Sequence, residues 1–539
     1  MSQVKQSELG GLGLYATKSY APGDTILEET PLIVLAPSYE KDQELVNKLF
    51  GSQKQQASTS QNSNEKGGTL WDIIEPPSDV PKESHGRFRS MVQAGLVFEY
   101  EKEKRHDDAQ WTKLEDEIFK LYHPAVGNDE SKKEESSTEK EVVNLAQQAC
   151  DYIRKNTKQP RDPTSDNSLQ KVMLIWACNS FEGGRVYAET SRVNHSCNPN
   201  AIIKVDTESS QLQKTAAAAG ASGEEATAAH SDHAQKVVAA APIAAGDEIT
   251  ISYLGILLYS DTSFRRDILQ RQKMFFCGCS RCGNDCDDKA GCIPCPVCHP
   301  RQEPQGILDE DVQYDDEQTV NYVTMATACD QCQTTPNAMD KRQRKKLQKI
   351  ITNVANKVSS YLEDRQAAMT SRKKSSGEDS GDEMDQNDEL LEEHISLSST
   401  VTGAKHWTTN LLLLIHLDRR LSNMSQVMLT TQELPEMEDI AEVIDSLERV
   451  CRFVEGLDLK LHHGHIVADA VIGVARMLVS LGDEKSQKYA AEWLDKLGDY
   501  VNLFETEGRQ KVVETLKQSW KKHKSNDGDE PVKKKAKPS

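Results

Sequence analysis

Nine of the chain's thirteen cysteines fall between Cys277 and Cys332, and their spacing limits what this region can be. Cys277-Gly278-Cys279-Ser280-Arg281-Cys282 offers three thiolates in six residues. A structural Zn²⁺ takes four tetrahedral ligands at about 2.3 Å, so a fourth has to come from elsewhere. Further on, Cys295-Pro296-Val297-Cys298 and Cys329-Asp330-Gln331-Cys332 form two CxxC knuckles, a pattern that by itself suffices for a ribbon-like zinc site. Cys286 and Cys292 are left over and could substitute in that second site. The competing roles are disulfides and thiols that pack as small hydrophobes. Met1 to Gln6 carries no apolar signal-like stretch, and the longest aliphatic run, Leu411 to Ile415, is too short to span a bilayer. We therefore expect a soluble, intracellular protein without a membrane partner, in a reducing compartment that favours metal over disulfides.

A chain of 539 residues exceeds one ordinary core, so two or three packed units are expected. With 37% hydrophobic and 28% charged residues, solvated inserts must dilute those cores. The 85 acidic against 65 basic residues leave a net charge of −20, a field that favours basic partners over nucleic acid. Asp309-Glu310-Asp311 and Asp315-Asp316-Glu317 beside the cysteines strengthen that exclusion, so direct nucleic-acid binding is not expected.

Short strands are predicted at Gly11 to Ala16, Thr25 to Glu29 and Leu32 to Leu35, with a Pro22-Gly23-Asp24 turn between the first two. The stretches Ser52 to Gly68 and Asn128 to Lys140 are polar and read as loops; Arg87 to Phe98, Trp111 to Tyr122 and Val142 to Lys155 have helical spacing. Strand signals return at Val172 to Ala177 and Ala201 to Val205. A hairpin then crosses a disordered tip before Val237-Val238-Ala239. In Ile249-Thr250-Ile251-Ser252-Tyr253 the alternation places Ile249, Ile251 and Tyr253 on one face. The last third is helical, with apolar stripes at Ile440 to Val454, Ile466 to Leu481 and Tyr489 to Val501, after a flexible acidic stretch from Ser375 to Glu393. His462, His463 and His465 read as a solvated cluster at a helix start. Lys341 to Lys346 and the tail Lys533 to Lys537 are basic runs, the tail suggesting nuclear entry.

Asn194-His195-Ser196-Cys197-Asn198-Pro199-Asn200 packs an amide, an imidazole and a thiol into four residues, and Cys197 suits the fourth position of the first zinc. Together with Gly11-Leu12-Gly13 before it and Gly246-Asp247-Glu248 through Tyr253 and the CxCxxC after it, this order resembles a SET domain with its post-SET zinc. Asn179-Ser180-Phe181 and Arg265-Arg266 are similar to the SMYD-like (SET and MYND) branch. The likeness covers roughly residues 8 to 36 and 171 to 282, and the C-terminal helices resemble that branch's TPR-like tail.

The resemblance implies an α+β fold: SET-type short strands with a helical insert, a cysteine-rich zinc post-SET segment and a C-terminal helical array. Its expected layout runs from N-terminal SET strands (1–36) to a helical insert with disordered loops (37–170) and a SET core (171–258, with the tip at 208–235). A zinc-binding segment (259–335), the helical domain (336–523, flexible over 371–395) and a disordered basic tail (524–539) complete it. The resemblance implies a protein-lysine N-methyltransferase using S-adenosylmethionine, acting on histone or other protein lysines in basic segments. Gly11, Leu12, Gly13, Asn179, Ser191, Asn194, His195 and Phe275 would hold the cofactor; Phe181 and Lys273 would line the lysine channel; Tyr253 would be catalytic. Cys197, Cys277, Cys279 and Cys282 would bind one zinc, and Cys295, Cys298, Cys329 and Cys332 a second. A monomer in the nucleus, the cytoplasm or both is expected. Two departures open an alternative, a SET-fold zinc-stabilised interaction scaffold with weak or no turnover: residues 37–170 contain only Cys150, so the MYND finger is missing, and Lys273 stands where many members carry a second channel tyrosine.

Overall fold

The computed structural model describes residues 2–9, 11–35, 44–45, 70–105, 109–124, 137–157, 163–181, 184–205, 234–283, 289–299, 321–324, 327–336, 340–372, 381–431, 435–460, 464–481, 483–504 and 507–526. The chain divides into two units: Met1–Ser196, Asn200–Ile251 and Arg266–Cys277 form the first, and Cys197–Pro199, Ser252–Arg265 and Gly278–Ser539 the second.

In the first unit β1 (Ser2–Gln6) and β2 (Leu12–Ala16) pair antiparallel with Val4 opposite Leu14. β2 also pairs antiparallel with β9 (Glu248–Ile251), and β9 pairs parallel with β6 (Asn194–His195), giving the sheet order β1-β2-β9-β6. β1 is absent from the sequence-based expectation because only Val4 is apolar in it, as suits an edge strand. A second sheet joins β3 (Thr25–Glu29), β8 (Gln235–Ala239) and β7 (Ala201–Val205), and β4 (Ile33–Val34) pairs with β5 (Arg185–Val186). The expected hairpin of β7 and β8 is present. Its tip at 206–233 lies outside the described residues, while Gln235, assigned to the tip, pairs with Val205.

The helical insert comprises α1 (His85–Lys104), α2 (Ala109–Phe119), α3 (Ser137–Asn156) and α4 (Pro163–Asn179). Phe88, Met91, Phe98, Trp111, Ala149, Ile153 and Met173 meet in one core with Ile33 and Val186, tying the insert to β4 and β5. Two expectations are corrected here. Val172 to Ala177 is the C-terminal half of α4, not a strand: Val172, Met173, Leu174 and Ile175 are all fully buried, so a helix buried around its circumference mimics a strand's continuous apolar run. The boundary drawn at residue 170 therefore falls inside a helix. Ser137 to Lys140, read as loop, is the first turn of α3, with Glu139 favourably placed near its N-terminus. The polar loop at 52–68 lies outside the described residues.

Helix α5 (Thr262–Lys273) precedes the cysteine-rich region, where β10 (Ile293–Pro294) and β11 (Tyr322–Val323) pair antiparallel. The helical array consists of α6 (Lys341–Arg372), α7 (Gly381–Thr402), α8 (Trp407–Thr431), α9 (Met437–Gly456), α10 (Gly464–Leu481), α11 (Glu484–Phe504) and α12 (Glu507–Asn526), with sequence neighbours packed on each other. On α9 the stripe Ile440, Val443, Leu447, Val450 and Val454 is buried as its spacing predicts. The acidic stretch 371–395, expected to be flexible, is helical from Gly381 onward. Leu391 is fully buried and His394 packs edge-on against Tyr361 of α6 at 5.6 Å, so sparse apolar positions at helical spacing outweigh the surrounding charge. Lys341 to Lys346 opens α6. The tail Lys533 to Lys537 and His462-His463 lie outside the described residues, whereas Asn526 ends a helix that reaches three residues into the expected tail.

Candidate functional site

The first group of expected site residues converges on Glu248, the first residue of β9. Parallel pairing of β6 with β9 sets Asn194 beside Thr250 and His195 beside Ile251. The Asn194 amide Nδ2 donates to Glu248 Oε1 at 2.7 Å and to the Leu12 carbonyl at 3.1 Å. Both partners only accept, so the amide orientation is fixed and a ligand would meet the acceptor Oδ1. Ser7 Oγ donates to both Glu248 oxygens at 2.8 and 2.9 Å, and Tyr15 OH to Oε2 at 3.4 Å. Burial and then the Glu248 charge raise the Tyr15 hydroxyl above its ordinary range.

Gly11 has φ +63°, a conformation side chains rarely take. A Cβ on Gly13 would lie 2.2 Å from Glu248 Oε1 and 2.9 Å from Asn194 Nδ2. Leu12 between them is 50% exposed. The glycine pattern thus keeps backbone close to a polar cluster and open to solvent, as a backbone-contacted ligand requires.

Asn200 holds the β9 backbone at the same residues: Nδ2 donates to Glu248 O at 2.9 Å and Oδ1 accepts from Thr250 N at 2.8 Å. His195 is buried and its ring lies 6.0 Å from that of Phe275. Asn179 is buried at the end of α4, donating to Tyr122 O at 2.7 Å and Ile175 O at 2.9 Å, while its own carbonyl accepts from Ser191 Oγ at 3.2 Å. Its side chain is thereby committed to backbone carbonyls. Glu29 accepts from the backbone N–H groups of Ala188, Glu189 and Thr190 and fixes the turn that carries Ser191.

Phe181 bridges to Arg185 and packs edge-on against Tyr187 at 5.6 Å. Lys273, the last residue of α5, donates to Cys178 O at 3.3 Å; burial, reinforced by Arg87, lowers its pKa, although Cys178 opposes the shift. Burial pushes the Cys178 thiol up to about 12, so it stays protonated. Arg87 donates to the Arg271 and Gln272 carbonyls and caps α5. Tyr253 is half-buried in the bend after β9. The strand ends at Ile251, so the alternation expected to carry Tyr253 onto the core face stops two residues short.

The expected metal ligands come together in two groups. The sulfurs of Cys197, Cys277, Cys279 and Cys282 lie within 4.8 Å of one another, all buried. Cys197 N–H donates to Cys279 Sγ at 3.3 Å, and the turn Ser280–Gly283 presents Cys279 and Cys282 together. Arg265, fully buried, donates to the Ser260 carbonyl, to Thr262 Oγ1 at 2.9 Å and to Cys282 Sγ at 3.5 Å. Four thiolates around a divalent ion carry net charge −2, and a buried guanidinium beside one of them offsets part of it. Arg281 donates to Cys197 O at 3.1 Å and Leu258 O at 2.7 Å. The second group is Cys295, Cys298, Cys329 and Cys332, again within 4.8 Å. Cys292 is not in it, and Cys286 lies outside the described residues. A backbone N–H at Thr334 is the main cause holding the Cys332 thiol down, to about 6. Both donor sets are what Zn²⁺ prefers.

Sequence reasoning missed Glu248, Ser7, Asn200 and Arg265. Glu248 sat within a motif read as a turn, and Arg265 stands out in the sequence only as part of the Arg265-Arg266 resemblance, which assigns it no role beside the cysteines.

No curated protein matches the chain. Residues 11–254 match the family model described as SET domain, a span that takes in the glycine turn, Asn194-His195, Glu248 and Tyr253. Over those residues the chain is similar to a SET domain, the lysine-methyltransferase type of fold.

Proposed function

We propose that this protein is an S-adenosylmethionine-dependent protein-lysine N-methyltransferase. The observation that carries the reading is the Gly13–Asn194–Glu248 cluster, in which backbone, amide and carboxylate meet too closely for any side chain at residue 13. The residues fit the cofactor: the Asn194 acceptor suits an ammonium donor, the exposed backbone of residues 11 to 13 suits a close-lying ligand, and Phe275 beside His195 suits a purine. S-adenosylmethionine, when bound, supplies a methyl group on a sulfonium whose departure leaves a neutral thioether, so no general acid is needed.

The chain's task is then alignment and deprotonation of the amine. A substrate lysine begins near a pKa of about 10.4, and an apolar channel lined by Phe181 lowers it by desolvation. The Tyr253 hydroxyl orients the neutral amine. Asn179 and Ser191, bonded to each other, hold the turn on which the cofactor rests. Cys197, Cys277, Cys279 and Cys282 would hold a zinc ion, which would fix the segment that follows Phe275. The acidic net charge favours lysine-rich segments, histone or otherwise.

We place the chain in a SMYD-like branch without a MYND finger, on Asn179-Ser180-Phe181 and the helical tail, acting as a monomer. We read the basic tail as a nuclear signal for a protein of nucleus and cytoplasm. The test is transfer of labelled methyl groups to a histone mixture and to basic peptides. Incorporation that Tyr253→Phe abolishes supports the reading; no incorporation with any basic protein opposes it. A second reading, a SET-fold scaffold without turnover, is motivated by Lys273, which stands in the sequence where many members carry a second channel tyrosine.

A further inference from the structure

The second cysteine group serves no step of that reaction, and its surroundings give it another role. Its cysteines approach across the knuckles: Cys295 Sγ lies 3.6 Å from Cys332 Sγ, and Cys298 Sγ 3.7 Å from Cys329 Sγ. Each contact joins one CxxC to the other, as four corners of a tetrahedron do. Among the described residues the ribbon's apolar cluster is Ile293 and Val323 with Cys295 and Cys329, and Ile351 of α6 packs alongside. A cluster of that size offsets little of the chain entropy of two short strands, which a metal ion joining the two knuckles would help to offset.

The ribbon grips the turn between α7 and α8. Gly403 has φ +86°, and a Cβ there would lie 2.7 Å from Pro294 Cδ and 2.9 Å from Tyr322 Cε1, so the turn seats directly on the paired residues of β10 and β11. Tyr322 OH accepts the Ala404 N–H at 3.0 Å, and the Lys405 ammonium lies 4.9 Å from the Tyr322 ring centre. Inside the turn, Gly403 O accepts from Thr409 Oγ1 at 2.9 Å, and Thr408 Oγ1 bonds Ser398 Oγ at 2.7 Å and His406 Nδ1 at 2.7 Å. These four side chains are buried at 1% exposure or less, so displacing the turn would strand their hydrogen bonds. We propose that Cys295, Cys298, Cys329 and Cys332 bind a second structural Zn²⁺ that acts as a clasp, ordering the β10–β11 ribbon and through it the α7–α8 turn of the helical array.

The experiment uses the full chain and its Cys329→Ser/Cys332→Ser variant, with metal content by mass spectrometry and amide hydrogen exchange as readouts. Zinc is expected to fall from about two to about one per chain. Amides across residues 403–410 should exchange at least about tenfold faster, while α10 and α11 keep their protection. Retention of two zinc ions, or loss of one with protection at 403–410 unchanged, overturns the clasp. Should that variant fail to fold, Gly403→Ala provides an independent arm. It should bind about two zinc ions but release one to a chelator several-fold faster than the parent chain, and release at the parent rate would equally overturn the proposal.

Discussion

Asn194 Nδ2 and Glu248 Oε1 are 2.7 Å apart, and that same oxygen occupies the space a Cβ on Gly13 would need. One carboxylate therefore sets the amide orientation of Asn194 and the residue type permitted at position 13. Ser7, the residue after β1, also donates to that carboxylate, so the β1–β2 connection has a part in the site.

Glu248→Gln should loosen this arrangement without unfolding it, because the new amide can present a donor where Asn194 also donates. Loss of one charged hydrogen bond costs about 1.5–3 kcal/mol, so S-adenosylmethionine affinity should fall at least about tenfold by calorimetry. Gly13→Ala must displace the carboxylate and should cost about 1–3 kcal/mol of stability in denaturant unfolding as well as cofactor binding.

Tyr253→Phe removes one oxygen at a half-buried position. Cofactor affinity should stay within about twofold, while methyl transfer falls by about 10²-fold or more, the usual scale for a positioning or proton-handling group. A parallel loss of binding would assign the residue a structural role.

Arg265 is fully buried beside Cys282 Sγ. Arg265→Leu leaves the thiolates uncompensated and the Ser260 carbonyl without this donor, a change of about 3–5 kcal/mol by analogy with broken buried ion pairs. Arg265→Lys should rescue it only in part, since one ammonium cannot reproduce the fork that reaches Ser260, Thr262 and Cys282. Thermal melts and the rate of zinc release to a chelator report both effects.

Lys273 has its pKa lowered in the folded state chiefly by burial. The unfolded chain therefore binds more protons between that depressed value and about 10.4, and this residue's contribution must rise with pH through that window. Below the window the penalty is fully present. Lys273→Met should stabilise the protein at pH 7 by on the order of 1 kcal/mol and flatten the rise in stability towards pH 10, measured by urea unfolding at both values.

What could be read from the sequence was whatever depends on spacing. The cysteine groups, the Gly11-Leu12-Gly13 turn and the α9 stripe are local patterns whose geometry follows from residue intervals. Val172 to Ala177 failed because burial on every side erases the helical period. The helix from Gly381 failed because Leu391 and His394 carry the packing while charge dominates the composition. Glu248 and Arg265 act through partners far along the chain, Ser7 and Asn194 for one and Cys282 for the other, and no interval encodes those meetings.

Calorimetric titration of the full chain with S-adenosylmethionine tests the central claim most directly. A single site per chain, weakened at least about tenfold in Asn194→Ala, is the expected result. Heats indistinguishable from dilution in the folded, zinc-loaded protein would contradict the methyltransferase assignment.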